Sequence, residues 1–186
     1  GAMAAVLGLE AETVAEIATE AAGEEICSVA NFNAPTQIVV AGDRPAVERA
    51  IGLAKEHGAR RAMLLPVSAP FHSPLMRPAR LGLEPYLDEV DFQDPKVPVV
   101  CNIDALPISS GSAARDALER QVDGPVRWVE SIAWMAEHGR VDLFVEVGPG
   151  TVLTGLIRRI APESRTVSLD QAAGAEKLLE MLGETA

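Results

Sequence analysis

The first 67 residues alternate strand-like and helix-like patterns in an order that few folds accommodate. Four short apolar runs are typical of strands: Met3–Leu9, Ile26–Phe32, Gln37–Ala41 and Arg61–Val67. Two segments space their apolar residues as amphipathic helices do: Glu10–Ala22, which Gly23 ends, and the segment that Asp43 can cap, which ends at Gly58. The order strand–helix–strand–strand–helix–strand predicts a ferredoxin-like βαββαβ subdomain over residues 1–68.

After Ser68, helix patterns alternate with single apolar strands. We expect helices over Ser73–Val90 and Ala113–Val122, from Pro125, from Thr151, and over Gln171–Leu182. We expect strands at Val97–Asn102, Leu143–Val147 and Thr166–Leu169. This alternation predicts a parallel α/β layer over residues 69–186. So few strands would leave a sheet edge and face uncovered, so this region is expected to be one part of a larger sheet.

Composition and charge narrow the class of protein. With 186 residues, 48% of them hydrophobic, the chain can bury a core as one large or two small domains. It has no run of eighteen apolar residues and no charged-then-apolar leader, so neither a membrane nor a secretory pathway is expected. The net charge of −11 argues against a general nucleic-acid binder. A cytoplasmic globular protein is the expectation.

The cysteines and two of the three histidines are expected to have structural roles. Cys27 and Cys101 lie in apolar, strand-like runs, which favours free buried thiols in a reducing compartment. No Cys and His spacing suits zinc, so no metal site is expected. His57 and His138 each precede a glycine at the end of a helix pattern, where an imidazole interacts well with the helix carbonyls.

His72 has a different setting, in the stretch S-A-P-F-H-S-P-L-M (Ser68–Met76). It follows a predicted strand, lies between Pro70 and Pro74, and precedes a helix that Ser73 can cap. The prolines restrict the backbone on both sides, and a helix N-terminus favours a neutral ring. A neutral, rigidly aimed imidazole suits a general base. A loop histidine bonded to a neighbouring carbonyl is the equal alternative.

No nucleophile for such a base is evident in this sequence. A G-x-S-x-G elbow is absent, and Ser68 and Ser73 are too close to His72 along the chain for good proton-transfer geometry. The V-G-P-G-T run at Val147–Thr151 marks a strand-to-helix turn whose amides could hold an anion. A tight packing turn is the favoured interpretation of that run.

Four motifs resemble malonyl-CoA:acyl-carrier-protein transacylases. They are N-F-N-A-P-T-Q-I-V-V-A-G (Asn31–Gly42), V-S-A-P-F-H-S-P-L-M (Val67–Met76), R-Q-x-x-x-P-V-R-W (Arg120–Trp128) and E-V-G-P-G-T-V-L-T-G-L (Glu146–Leu156). The opening G-A-M-A-A-V-L-G-L is also similar to that family. The resemblance implies the C-terminal part of a hydrolase-like α/β domain together with its inserted ferredoxin-like subdomain.

The resemblance also implies the reaction and its partners. Such enzymes pass malonyl from coenzyme A to a serine and then to the phosphopantetheine thiol of acyl carrier protein, in fatty-acid synthesis. Malonyl-CoA is the substrate, and no permanently bound cofactor is implied. The partners would be acyl carrier protein, the coenzyme A thioester and the missing N-terminal portion of the enzyme, with no nucleic acid or membrane.

By position within the motifs, the resemblance assigns catalytic roles to His72 and Gln121. His72 would be the base, and the main-chain carbonyl of Gln121 would orient its ring and fix the tautomer. Phe71 is similar to the bulky residue that disfavours methylmalonyl beside the thioester. Asn31 and Asn33 would line the acyl or pantetheine entrance, with structural turn roles as the alternative. Asn102 would be a polar substrate-binding residue near the site.

The chain departs from the family in what it lacks. The nucleophile elbow, the oxyanion glutamine loop and the malonate-binding arginine of such enzymes precede the G-A-M-A-A segment. The chain alone is therefore expected to be inactive. One alternative is an acyltransferase piece of a larger polyketide or fatty-acid synthase. Another is a non-catalytic module that binds the acidic carrier protein through an arginine patch of Arg77, Arg80 and Arg127.

Overall fold

The computed structural model describes residues 1–183, and the chain divides into two compact units, Gly1–Ser131 and the residues from Ile132 onward. The strands are β1 Ala2–Leu7, β2 Cys27–Ala34, β3 Gln37–Gly42, β4 Arg61–Leu64, β5 Val99–Cys101, β6 Leu106–Ile108, β7 Leu143–Glu146 and β8 Arg165–Ser168. The helices are α1 Ala11–Ala22, α2 Arg44–Glu56, α3 Arg77–Asp88, α4 Gly111–Gln121, α5 Trp128–Glu137, α6 Val152–Ile160 and α7 Ala172–Gly183.

The first four strands form one antiparallel sheet in the order β2-β3-β1-β4. Strand β1 pairs with both β3 and β4, and β3 also pairs with β2. With α1 between β1 and β2, and α2 between β3 and β4, this is the ferredoxin-like arrangement. The predicted α/β fold class with a βαββαβ subdomain is confirmed. The predicted boundary between 1–68 and 69–186 stays a prediction.

The core of this sheet follows from the alternation of side chains along its strands. In β1, Ala4 and Val6 point into a cluster that also contains Val14 and Ile17 of α1 and residues of α2. Met3 belongs to a separate, smaller cluster with residues of β2 and β3. Each fully buried Val or Ile side chain contributes about 1.5–3 kcal/mol. The predicted α1 stripe is buried at every position: Val14, Ile17, Ala18 and Ala21.

Asp43 occupies the N-cap position of α2, but the prediction that it caps the helix is wrong. Its carboxylate accepts a hydrogen bond from the Ile26 N–H at 2.9 Å, and the side chain makes no capping bond. The reason is the close approach of β2 and the end of β3. A Cβ atom on Gly42 would lie 1.9 Å from the Ile26 carbonyl oxygen, so the neighbouring backbone donor is within reach of Asp43.

Two expectations for the middle of the chain are also wrong. The first is that the strand expected at Val97–Asn102 belongs to a parallel layer. Strand β5 instead pairs antiparallel with β6, a three-residue strand that contains Pro107 and whose sequence gives no strand signal. The helix expected from Pro125 begins instead at Trp128. The reason is Val126, whose N–H donates to the Ala30 carbonyl and whose carbonyl accepts from the Phe32 N–H. This pairing keeps the backbone extended beside β2.

In the second unit, β7 and β8 form a parallel pair connected through α6. Their parallel orientation agrees with the parallel α/β layer predicted for this part of the chain. The buried residues of this unit include Phe144, Leu156, Ile157 and Val167. Within residues 1–183, none of the helices combines the length and apolar character that a membrane crossing requires.

Candidate functional site

The loop after β4 holds His72 in an unusual backbone conformation. Its φ angle is +58°, in the left-handed region that residues other than glycine seldom adopt, although histidine tolerates it better than most. The turn from Pro70 to Ser73 encloses it. The hydroxyl of Ser73, which is fully buried, donates to the Pro70 carbonyl at 2.7 Å. Ser73 precedes the 3-10 turn Pro74–Met76 without capping it, contrary to expectation.

The ring of His72 contacts the last residue of α4. Its Nδ1 lies 3.0 Å from the main-chain carbonyl oxygen of Gln121. That carbonyl is available because the last turn of a helix leaves its carbonyls without intrahelical donors. A carbonyl can only accept, so Nδ1 carries the proton and the neutral ring has its lone pair on Nε2. Nε2 makes no hydrogen bond to any residue that the structure describes.

The side chain of Gln121 stabilises the turn that follows α4. Its amide Nε2 donates to the carbonyls of Gly124 at 3.1 Å and Pro125 at 3.2 Å. A Cβ atom on Gly124 would lie 2.2 Å from the Ile103 side chain and 2.7 Å from the Arg120 carbonyl oxygen, so this turn is too tight for a larger residue. Gln121 thus contacts His72 through its main-chain carbonyl, while its side chain binds the carbonyls of Gly124 and Pro125 in the following turn.

Main-chain bonds connect this turn to two of the three predicted asparagines. Val126 pairs with β2 in a parallel bridge opposite Asn31. The Arg127 N–H donates to the carbonyl of Asn102 at 2.9 Å. Asn33 lies at an irregularity of the β2–β3 pairing, and its side chain makes no hydrogen bond within residues 1–183. The structure therefore connects Asn31 and Asn102 to the turn after Gln121, through their backbones, and leaves Asn33 outside that network.

Phe71 directly precedes His72 and is 41% exposed. An aromatic side chain with that exposure beside a candidate base can contact a bound molecule. The structure thus places Phe71 next to the His72–Gln121 pair through the turn itself.

An ion-pair group near Gln121 was not identified from the sequence. Arg120 binds both carboxylate oxygens of Asp104, at 2.8 and 2.7 Å, and its Nε binds Asp116 at 2.7 Å. The hydrogen bond from Arg120 holds the pKa of Asp104 below its usual value, although burial opposes this. The signal in the sequence was the spacing of Asp116 and Arg120, four residues apart on one helix. These contacts fix the end of α4 next to Gln121.

The arginine patch considered for carrier-protein binding is largely engaged within the chain. Arg80 contacts Glu119 at 2.8 Å and Asp123 at 3.4 Å, and Arg127 binds Glu130. Arg77 is exposed and has no ion-pair partner among residues 1–183. Two of the three arginines are thus already paired with carboxylates, which weakens the case for this patch.

The glycine turn before α6 is occupied by acidic side chains of the same unit. The Glu146 carboxylate accepts from the N–H groups of Leu153 at 3.0 Å and Thr154 at 2.7 Å. The Gly150 N–H donates to Asp170 at 2.8 Å. Burial opposes ionisation of Glu146, but the bonds from Thr154 and Leu153 outweigh it and hold its pKa below the usual value. This supports a packing turn rather than a site for an external anion.

The remaining titratable groups have structural surroundings. Cys27 and Cys101 are free thiols, and burial raises the pKa of Cys27 to about 11. The His57 ring contacts the Leu53 carbonyl, as expected at a helix end, and His138 stacks on Trp134. Over residues 1–183, no group of three or more His, Cys, Asp or Glu side chains is placed to hold a metal ion.

Comparison with known proteins reveals extensive similarity. No family model matches the chain. The malonyl CoA-acyl carrier protein transacylase of Escherichia coli strain K12 is 45% identical over 181 residues, 97% of this chain and 58% of the relative. That of Bacillus subtilis is 40% identical over 99% of this chain and 58% of the relative. The polyketide biosynthesis protein ThaF of Burkholderia thailandensis is 42% identical over 90% of this chain but only 14% of its own length.

Solved structures agree with these relatives. The crystal structure of an acyl-carrier-protein S-malonyltransferase from Burkholderia pseudomallei has a TM-score of 0.93 at 46% identity, covering 96% of this chain and 58% of that one. A malonyl-transacylase in complex with its type II polyketide synthase acyl-carrier protein has a TM-score of 0.92 at 41% identity, with the same coverage. The chain spans about 58% of the length of these transacylase relatives.

Proposed function

This chain is homologous to the malonyl CoA-acyl carrier protein transacylases, and on that premise we propose that it is part of an acyltransferase. The whole enzyme moves malonyl from coenzyme A to the phosphopantetheine thiol of an acyl carrier protein through a serine ester. The observation that supports this most directly is the His72–Gln121 contact, because a proton on Nδ1 gives Nε2 the lone pair that the proposed base requires.

In the first half-reaction, Nε2 of His72 takes the proton from a serine hydroxyl that lies outside this chain. The serine oxygen attacks the thioester carbon of malonyl-CoA. When the tetrahedral intermediate collapses, the C–S bond breaks, and the coenzyme A sulfur leaves with the proton from the imidazolium. The products are malonyl-serine and coenzyme A. The Gln121 carbonyl stabilises the imidazolium through its Nδ1–H.

In the second half-reaction, Nε2 takes the proton from the phosphopantetheine thiol. The thiolate attacks the serine ester, the C–O bond breaks, and the serine oxygen recovers the proton from His72. The malonyl thioester of the carrier protein leaves and the enzyme returns to its starting state. One ring nitrogen thus serves as base and acid in both directions, which requires that the tautomer stay fixed.

Phe71 and the three asparagines are proposed to contact the substrates. The Phe71 ring would crowd a methyl branch next to the thioester, which favours malonyl over methylmalonyl by about 1–3 kcal/mol. Asn31, Asn33 and Asn102 would line the entrance for the acyl and pantetheine groups. The enzyme would act in the cytoplasm with no permanently bound cofactor, and residues 1–68 and 69–186 would form its ferredoxin-like and hydrolase-like regions.

Alone, this chain is proposed to be inactive. It contains no G-x-S-x-G serine elbow. Without a nucleophile there is no acyl-enzyme, and loss of the oxyanion donors would cost a further factor of about 10²–10³ in rate. Its similarity to ThaF over a small part of that protein favours a second candidate, an acyltransferase region within a larger polyketide enzyme.

The test joins the upstream portion of the E. coli relative to Gly1, or adds it as a separate chain, and follows malonyl transfer to a carrier protein by mass spectrometry. We expect transfer with the added portion and none without it. His72→Gln should lower the rate about 10²–10⁴-fold, while His57→Gln, the matched helix-end control, should leave it unchanged. A folded His72→Gln chimera that transfers malonyl at the full rate would refute the proposed role of the ring.

A further inference from the structure

We propose that Ser73 is a positioning residue that holds His72 in the left-handed turn and thereby fixes its tautomer. The inference deepens the proposed function, because it assigns the residue that keeps Nε2 available. Its geometry is nevertheless independent of the reaction.

The left-handed conformation of His72 needs support from its surroundings. Within residues 1–183, three residues other than glycine have positive φ angles: His72, Ala105 and Arg140. Such a conformation is strained and persists where neighbouring contacts determine it. Without that support, the backbone of His72 would return to the β or right-handed region, and its side chain would no longer point toward Gln121.

The flanking prolines limit which groups can close the turn. Pro74 has no N–H, so a backbone bond from residue 74 to the Pro70 carbonyl is impossible. The Ser73 hydroxyl supplies a donor instead, at 2.7 Å from the Pro70 oxygen. This bond spans Phe71 and His72 and closes the turn around them. Ser73 itself is extended, with φ −133° and ψ 163°, and its hydroxyl bonds back to Pro70.

Burial strengthens this contact. Ser73 has no exposed surface, so a hydroxyl that lost its acceptor would have no water to replace it. The acceptor residue is also held in place, because Gly1, next to β1, packs so closely on Pro70 that a Cβ atom there would lie 2.4 Å from the proline ring. The turn is therefore fixed at one end by the proline packing and at the other by the buried serine.

The test measures the imidazole nitrogens of this chain by ¹⁵N NMR, which distinguishes protonated from unprotonated nitrogen without any need for catalysis. In the wild type, His72 should show a protonated Nδ1 and an unprotonated Nε2. In Ser73→Ala, we expect the two nitrogens to move toward averaged values as both tautomers become populated. His57 provides an internal reference, because its Nδ1 also contacts a carbonyl.

Ser131→Ala is the matched control. Ser131 is 1% exposed, and its hydroxyl donates to the Arg127 carbonyl at 2.9 Å, so its loss removes an equivalent buried bond far along the chain from His72. Ser131→Ala should leave the His72 signals unchanged. If Ser73→Ala also leaves them unchanged, or if both variants move them equally, the proposal is wrong.

A second variant keeps the test decisive if Ser73→Ala does not fold. Ser73→Thr retains the hydroxyl and should retain the wild-type tautomer; averaged signals in a folded threonine variant would overturn the proposal. In the active chimera, Ser73→Ala should lower kcat up to about 10²-fold with KM unchanged. A fixed wild-type tautomer without malonyl transfer would refute the proposed function alone, and transfer by a wild type whose fixed tautomer Ser73→Ala leaves unchanged would refute the role of Ser73 alone.

Discussion

The β2-β3-β1-β4 sheet and the β7–β8 sheet differ in how far their hydrophobic side chains are buried. In the first, the apolar stripes of α1 and α2 are almost completely buried within the sheet's own cluster. In the second, one parallel pair leaves several large apolar residues exposed, including Val147 at 79% and Val152 at 72%. The difference indicates that the first sheet is stabilised by its own helices, whereas we expect the second to need further polypeptide to cover it.

The largest effect on stability is expected in the core of the first sheet. Ile17→Ala should lower the free energy of unfolding by about 2–5 kcal/mol, because Ile17 is 2% exposed and its removal leaves a cavity. Val152→Ala, at an exposed apolar position of α6, should change it by less than about 0.5 kcal/mol. Urea denaturation followed by circular dichroism measures both. Equal losses from the two substitutions would remove the contrast between the sheets.

A smaller effect is expected where the second sheet relies on polar contacts. Glu146→Ala should destabilise the start of α6 by about 1 kcal/mol, because two N–H groups lose a charged acceptor. Hydrogen exchange at the Leu153 and Thr154 amides measures the change, and Glu163→Ala, an exposed acidic position of the same unit, is the control. Unaltered exchange in Glu146→Ala would show that the β7–β8 connection does not depend on this carboxylate.

The same carboxylate predicts a pH dependence with a definite sign. The pKa of Glu146 is lowered in the folded chain, so its contribution is fully present above the unfolded value of about 4.3 and is lost as the pH falls through the folded value. Exchange at the two amides should therefore accelerate, relative to the intrinsic rate, on acidification. In Glu146→Ala this additional acceleration should be absent.

The smallest effect is expected on the surface of α2. Arg44 and Glu48 form an exposed i,i+4 pair at 3.6 Å. Arg44→Ala should change the free energy of unfolding by less than about 0.5 kcal/mol, since solvent screens such pairs. A loss comparable to that from Ile17→Ala in the same denaturation experiment would mean that the first sheet depends on surface charge as well as on its core.

Periodicity predicted the elements whose contacts are mainly apolar, and it failed where backbone groups find distant partners. The α1 stripe could be identified because burial repeats with the helix turn. The extended backbone at Val126 and the hydrogen bond of Asp43 could not, because each depends on a strand far away in sequence. Local propensity contains no information on those partners.

The same distinction applies to the candidate site, where some features could be predicted from the sequence and others could not. The prolines around His72 indicated a rigid loop, and resemblance to a family pointed to Gln121, 49 residues away from the histidine. The left-handed angle of His72 and the turning back of the Ser73 hydroxyl had no sequence signal, because Ser-Pro before a helix pattern is typical of an ordinary cap. The Ser73 hydroxyl instead donates to the Pro70 carbonyl, and the Pro70 ring packs against Gly1, which is distant in sequence.

The pairing of Val126 with β2 has a consequence for association between molecules. Strand β2 is an edge strand of its sheet, and an edge strand with free N–H and carbonyl groups can pair with a strand of another molecule. Here the Ala30 carbonyl and the Phe32 N–H are already hydrogen-bonded to Val126 of the same chain. The segment that follows the acceptor of His72 therefore leaves fewer free backbone groups on this edge with which a second molecule could pair.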